Sequence, residues 1–415
     1  MSNPPGTTFQ RQRLFRVRSD DGHARVGFVE LFFDLVFVFA VTQLSHLLLH
    51  HLTLGGATQT VILLFAVWWA WIYTTWATNW LDPETTEVRL LLFALMVVGL
   101  LMSAAIPQAF ESRSLWFAGA YVTMQVGRGL YMMWALEGHQ PANHRNFQRI
   151  TAWFALSGAL WIAGAIAGGT TLYVLWITAA ALELIAPVLG FWMPGLGSSK
   201  AGDWNIAGGH MAERCGLFII IALGESILLT GATFADLAWT NTNLSGFAVC
   251  LTGSIAMWWI YFNVGAERAS RLIAKSSNPG ALGRLAYTYL HVIIVAGIIV
   301  SAASDELVLK HPADHVTTAY ALTITGGPAL FLLGCMLFKW TTAGWPPLSH
   351  MVGIVLLAAL FAFAHSLSLM AVASLATGVL VLVAAWETWS LRHEIAEARA
   401  HAHGHGAHQQ KENAS

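Results

Sequence analysis

Twelve continuous apolar runs of about twenty residues each constrain this chain more than any other feature. They fall near 29–49, 58–79, 89–109, 114–136, 149–168, 171–191, 213–233, 245–265, 284–303, 316–338, 348–368 and 371–390. A helix of that length crosses the hydrocarbon core of a bilayer. Helices and closed barrels are the only spanning forms that satisfy every backbone N–H and C=O internally. The runs are continuous rather than alternating, which argues against a barrel. The expected fold class is therefore all-α, a polytopic transmembrane bundle of about twelve helices embedded in the lipid bilayer. Composition agrees: 56% of residues are apolar and 10% charged, where soluble domains carry about 25% charged residues. With a net charge of −1, a disordered chain and a nucleic-acid partner are both excluded.

Orientation follows from the Lys and Arg residues in the loops. With the N-terminus in the cytoplasm, eighteen of the 21 Lys and Arg residues fall on inside segments. Arg113 and Lys310 fall outside, and Arg128 lies within a helix. Both termini are thus expected in the cytoplasm, in a bacterial inner (plasma) membrane. The polar, arginine-bearing start of the chain does not read as a cleavable signal peptide.

The chain weakly repeats itself. Trp69-Ala-Trp-Ile-Tyr73 resembles Trp258-Trp-Ile-Tyr261, and Gly99-x-x-x-Ser103-Ala-Ala105 matches Gly297-x-x-x-Ser301-Ala-Ala303. Glu30 and Glu213 stand at the start of the first and seventh runs. Six helices per half would make the repeats parallel, related by an axis along the membrane normal. The expected organisation is a basic cytoplasmic segment (1–27), a six-helix half (28–191), a Gly/Ser-rich linker (192–212), a second half (213–391) and a disordered His-rich tail (392–415).

Ionisable groups inside a bilayer cost about 2.5–3.5 kcal/mol each on insertion scales, so each needs a partner or a function. Glu30 and Asp34, four residues apart, share one face of helix 1. Arg128, Glu183, Glu225 and His291 lie in helices 4, 6, 7 and 9. At about 1.5 Å per residue, Asp34, Arg128, Glu183 and His291 sit roughly 6–12 Å from the cytoplasmic ends and Glu225 roughly 18 Å. They read as a polar path open to the cytoplasm or as ion pairs that lock helices together, with Asp34 and Arg128 the expected pair. Glu30 reads as an interfacial residue. Trp69, Tyr73, Trp76 and Trp80, at spacings of 4, 3 and 4, form one aromatic stripe on helix 2. Such a stripe suits helix packing or a cation.

No cofactor is expected. The histidines are not spaced to hold haem, and the tail histidines (His401, His403, His405, His408) read as a solvated end. The three cysteines form no disulfide framework. Walker A, Gly-x-Ser-x-Gly and His-Glu-x-x-His patterns are absent, which argues against ATP-driven transport by this chain alone.

Val29-Glu-Leu-Phe-Phe-Asp34-Leu-Val-Phe-Val38 resembles the signature of the bacterial low temperature requirement protein A (LtrA) family. So do His210-Met-Ala-Glu213-Arg214-Cys-Gly-Leu-Phe218, Leu223-Gly-Glu225-Ser226, Trp258-Trp259-Ile-Tyr-Phe262 and Tyr289-Leu-His291. The resemblance spans about residues 25–390. It implies a multi-pass bacterial membrane protein, with Glu30, Glu213, Arg214 and Trp259 as motif residues. A fainter likeness to two-repeat potassium channels rests on Arg25 and Phe33-Asp34, but the second half lacks a matching Phe-Asp.

The leading expectation is a secondary transporter or permease of an unidentified small solute or ion. Its buried carboxylates would handle protons or cations, with Arg128 as a counter-charge. The alternatives are an ion channel and a membrane-embedded enzyme acting on a lipid or lipid-linked substrate.

Overall fold

The computed structural model describes residues 11–16, 26–199, 208–263, 279–390 and 392. Part of the basic segment, part of the linker and the His-rich tail beyond Arg392 lie outside the described residues. The described chain is all-α. Its long helices are α1 (Phe28–His50), α2 (Leu54–Trp80), α3 (Thr86–Ala105), α4 (Ser114–Leu136), α5 (Pro141–Ala167) and α6 (Gly169–Ile185). They continue with α7 (Gly208–Ala235), α8 (Asn241–Phe262), a composite α9, α10 (Thr318–Ala343), α11 (Leu348–Phe363) and α12 (Leu369–Ser390). The composite α9 comprises a short α segment (Pro279–Gly283), a π segment (Arg284–Leu290) and a long α segment (His291–Lys310).

Among the described residues, ten helices are long and apolar enough to cross a membrane. The other two are α4, interrupted by Gln125 and Arg128, and α6, with 17 residues. Local chemistry sets the boundaries. The hydroxyls of Thr53, Thr240 and Thr317 accept from backbone N–H groups three residues on and start α2, α8 and α10. Gly168 (φ +66°) separates α5 from α6, in a conformation open to glycine at little cost. Helix α7 starts at Gly208, ahead of the apolar run at 213. Its polar first turns are held by protein partners, described below, rather than by lipid.

Neighbour relations within each set of six are similar. In the first, α1 packs on α2 and α3, α3 on α4, α4 on α5, α5 on α6, and α2 on α4 and α6. In the second, α7 packs on α8 and α9, α9 on α10, α10 on α11, α11 on α12, and α8 on α10 and α12. The two sets meet where α1 and α2 lie against α7 and α9. Helix α2 is the most enclosed, with 83% of its apolar window buried against 28% for α11. Outward positions such as Phe32, Leu35, Val97, Leu228 and Val355 are large, apolar and exposed, which suits contact with lipid rather than water.

The closest packing is between α9 and α10. A Cβ on Gly334 would lie 2.6 Å from Ile294 Cγ1 and 2.7 Å from Ile294 N, and one on Gly327 would lie 2.7 Å from Ser301 N. Only glycine admits the facing backbone here, the small-residue contact that drives helix association in lipid.

Candidate functional site

Two polar structures sit at the meeting of the helix sets. The first is a two-rung ladder between α1 and α7. Glu30 Oε1 lies 2.9 Å from His210 Nε2, and Asp34 Oδ1 lies 2.8 Å from Arg214 Nη2. All four side chains are fully buried. Both pairs are separated by 180 residues, so a four-residue step along α1 matches a four-residue step in the same direction along α7. The two helices therefore run parallel.

Each rung has further partners. Glu30 Oε2 accepts from Arg16 Nη2 at 2.7 Å and from the Gly27 N–H at 2.8 Å. The Asn79 amide nitrogen lies 3.3 Å from His210 Nδ1, and Arg16 Nη2 lies 3.3 Å from His210 Nε2, so Arg16 touches both members of the rung. Asp34 Oδ1 also accepts from the Trp71 indole at 2.8 Å, and the Arg214 guanidinium lies 5.6 Å from the centre of that ring. The second rung is only half satisfied, because Asp34 Oδ2 and Arg214 Nε and Nη1 have no hydrogen-bond partner.

This ladder corrects two expectations. Asp34 pairs with Arg214, not Arg128. Depth along a helix suggested the pairing with Arg128, but rotation about the helix axes decides which side chains face each other. Glu30, expected at the membrane interface, is enclosed in protein because the N-terminal segment folds over it through Arg16.

The second structure is a cavity of about 370 Å³. It lies at the end of the bundle where α2 and α6 finish and α5 and α9 begin. Tyr73, Trp76 and Trp80 of the aromatic stripe form one wall, and Gln125, Arg128 and Gly129 of α4 form another. The segment after α6 and the start of α9, with Arg284 and Thr288, complete it. Among the described residues, Phe191 is the one non-glycine with a left-handed backbone (φ +51°), and it faces this cavity. Such strain at a bulky residue often accompanies a ligand site.

Arg128 connects to Glu183 through two intermediates. Its Nη2 donates to Gln125 Oε1, Gln125 Nε2 donates to the Tyr121 hydroxyl at 2.9 Å, and that hydroxyl donates to Glu183 Oε2. Ser157 and the Trp161 indole donate to Glu183 Oε1 at 2.7 and 3.0 Å. Glu183 thus anchors α4, α5 and α6 together. Arg128 Nη1 reaches the Ala70 carbonyl and Thr74 Oγ1 at 3.3 and 3.1 Å.

The π segment of α9 forms the cavity's second-half wall. Trp68 and Trp76 of α2 donate to the carbonyl and hydroxyl of Thr288 at 2.7 and 2.9 Å, and Arg284 donates to the Pro187 carbonyl at 2.8 Å. His291 closes the segment, with Nδ1 2.8 Å from the Ala286 carbonyl and Nε2 2.8 Å from the Tyr261 hydroxyl. A carbonyl can only accept, so Nδ1 carries the proton and Nε2 of the neutral ring accepts from tyrosine.

The remaining sequence-derived residues lie elsewhere. Glu225 is buried in α7 near the Thr42 hydroxyl and forms no ion pair among the described residues. Glu213 is exposed. Trp259 ties α8 to α12 by donating to Thr388 at 2.8 Å. Among the described residues, no group of three His, Cys, Asp or Glu side chains could hold a metal ion. Sequence reasoning missed Tyr121 and Gln125, which precede Arg128 at spacings of 4 and 3, a polar stripe on one helical face that could have been found. Arg284, which the sequence showed as an inside charge opening a helix, was not among the candidate site residues.

The family model for the bacterial low temperature requirement A protein matches residues 25–385. The chain belongs to the LtrA family. It is 41% identical over 379 residues to an uncharacterized protein of Rhizobium meliloti (strain 1021), covering 91% of this chain and 92% of that protein. No solved structure matches it. The match encloses both the ladder and the cavity, so these are features of the LtrA region rather than of the polar ends.

Proposed function

We propose that this LtrA-family membrane protein is a permease, a secondary transporter that moves a small solute through the junction of two six-helix halves. The observation that carries this reading is the cavity. It is bounded by α2 and α4 on one side and by the π segment of α9 on the other, and a charged side chain, Arg128, is buried in its wall. Intramembrane charge beside a cavity and non-α backbone that lines it are both features of solute sites. The similar neighbour relations in the two sets of helices, and the parallel ladder between α1 and α7, support parallel repeats. Movement of one half against the other around such a site is how repeat-built carriers alternate access. The π segment is a suitable hinge. Glu225, which forms no ion pair among the described residues, is the carboxylate we assign to a coupling proton or cation. The charge bias supports an N-in, C-in orientation in the bacterial inner membrane, with the cavity open to the cytoplasm.

The test is uptake by proteoliposomes from a pool of radiolabelled organic acids, amino acids and inorganic ions under imposed proton or sodium gradients. Gradient-driven accumulation of at least one solute, abolished by blocking the cavity with Ser198→Trp at its exposed rim, is expected. A passive conductance would replace the proposal with a channel, and chemical conversion of an added lipid would replace it with an enzyme.

A further inference from the structure

The charge of the cavity is one-sided. Arg128, 2% exposed, and Arg284 both line it, and among the described residues no Asp or Glu does. The hydrogen bonds of Arg128 go to a carbonyl, a hydroxyl and an amide oxygen, all neutral. It makes no ion pair among the described residues. Glu183, two side chains away, is already occupied by three donors. An enclosed guanidinium without a facing carboxylate bears a large desolvation cost. The rings of Tyr73 and Phe154, 5.7 and 6.0 Å from its central carbon, offset part of that cost. Tyr73, Trp76, Trp80, Phe147 and Ile150 give the wall its aromatic and apolar part, beside the uncharged polar Gln125, Ser198, Ser199 and Thr288. The Trp76 N–H is already engaged by Thr288, so the ring offers its apolar surface.

We infer that the cavity binds a small organic anion, with its carboxylate or phosphate on Arg128 and its apolar, preferably aromatic, body against Tyr73, Trp76 and Trp80. That this anion is the transported solute rests on the permease reading, whereas the binding itself does not. Guanidinium recognises both acid groups by charge-assisted, often bidentate, hydrogen bonds. A volume of about 370 Å³ lies within the usual range for small-molecule sites. The headgroup of an anionic lipid presents the same chemistry. The proposal is the free organic anion, and the experiment separates the two.

Purified full-length protein in neutral detergent is titrated calorimetrically with benzoate, phenyl phosphate, benzamide and benzylamine. Saturable binding of at least one of the two anions is expected, with benzamide and benzylamine at least about tenfold weaker. Arg128→Gln should weaken the anion about ten- to a hundredfold, the usual worth of a charge-assisted hydrogen bond. Arg284→Gln, at the rim, should weaken it less and serves if Arg128→Gln does not fold. No saturable binding of either anion, equal binding of benzamide, preference for benzylamine, or unchanged affinity in the variants would each overturn the inference. Phosphatidylglycerol that binds with the same Arg128 dependence and abolishes benzoate binding would make this a lipid-headgroup site and overturn the free-anion assignment. Benzoate binding without uptake of any solute of the pool in proteoliposomes would overturn the permease reading alone. Uptake confined to neutral or cationic solutes would overturn the assignment of the bound anion as the transported solute.

Discussion

Asp34→Asn tests the ladder most directly. The asparagine Oδ1 can still accept from the Trp71 indole, so packing and that hydrogen bond persist. What is lost is the negative charge 2.8 Å from Arg214 Nη2, in a place where both side chains are fully buried. Breaking a buried pair from one side costs about 3–5 kcal/mol, because the other charge is left uncompensated. That is a large share of a total stability of about 5–15 kcal/mol. Arg214→Met alone should cost a similar amount by stranding Asp34. The double variant should recover most of the loss. Arg214 already has two nitrogens without hydrogen-bond partners and Asp34 one such oxygen, so the intact pair is imperfect and its neutral replacement gives up little. The assay is thermal unfolding of the four proteins in detergent, with membrane abundance read in parallel as a double-mutant cycle. Additive losses would refute the pairing. Recovery of Asp34→Asn by Arg128→Gln, and not by Arg214→Met, would restore the partner that helix depth alone suggested.

Other outcomes follow from the same geometry. Gly334→Ala should destabilise the protein by about 1–3 kcal/mol, the usual cost of overpacking, because the new methyl meets the Ile294 backbone. Gly119→Ala, with nothing within 4 Å, is the control, and thermal melts compare the two. Tyr121→Phe removes the donor to Glu183 Oε2 and the acceptor for Gln125. It should lower stability by about 1–3 kcal/mol through unsatisfied buried groups, and a matching melt checks it. Reporter fusions after His51, Glu111 and Lys310 should read outside, and those after Lys200, Lys275 and Ala407 inside. An outside signal at Lys200 would break both the orientation and the parallel-repeat reading.

Much of this protein was legible in the sequence. Twelve apolar runs correspond to twelve long helices because lipid leaves a backbone few alternatives, and hydropathy reports that directly. The ionisable residues were visible for the same reason, since each stands out against an apolar background. Sequence also placed Glu30 with Asp34, and His210 with Arg214, at four-residue steps. What it could not show was that these two steps face each other, because which sides of two helices meet is fixed by tertiary packing. The same limit explains Arg128. Its depth was readable, but its partners depend on how α4 is rotated toward α2 and on Gln125 and Tyr121 one turn away on its own face. The cavity needed still more: α2, α4, α5, the segment after α6 and the start of α9 converge on it from five stretches of chain. Only the tertiary structure decides that two arginines separated by 156 residues of sequence, Arg128 and Arg284, line one space that the described carboxylates do not enter.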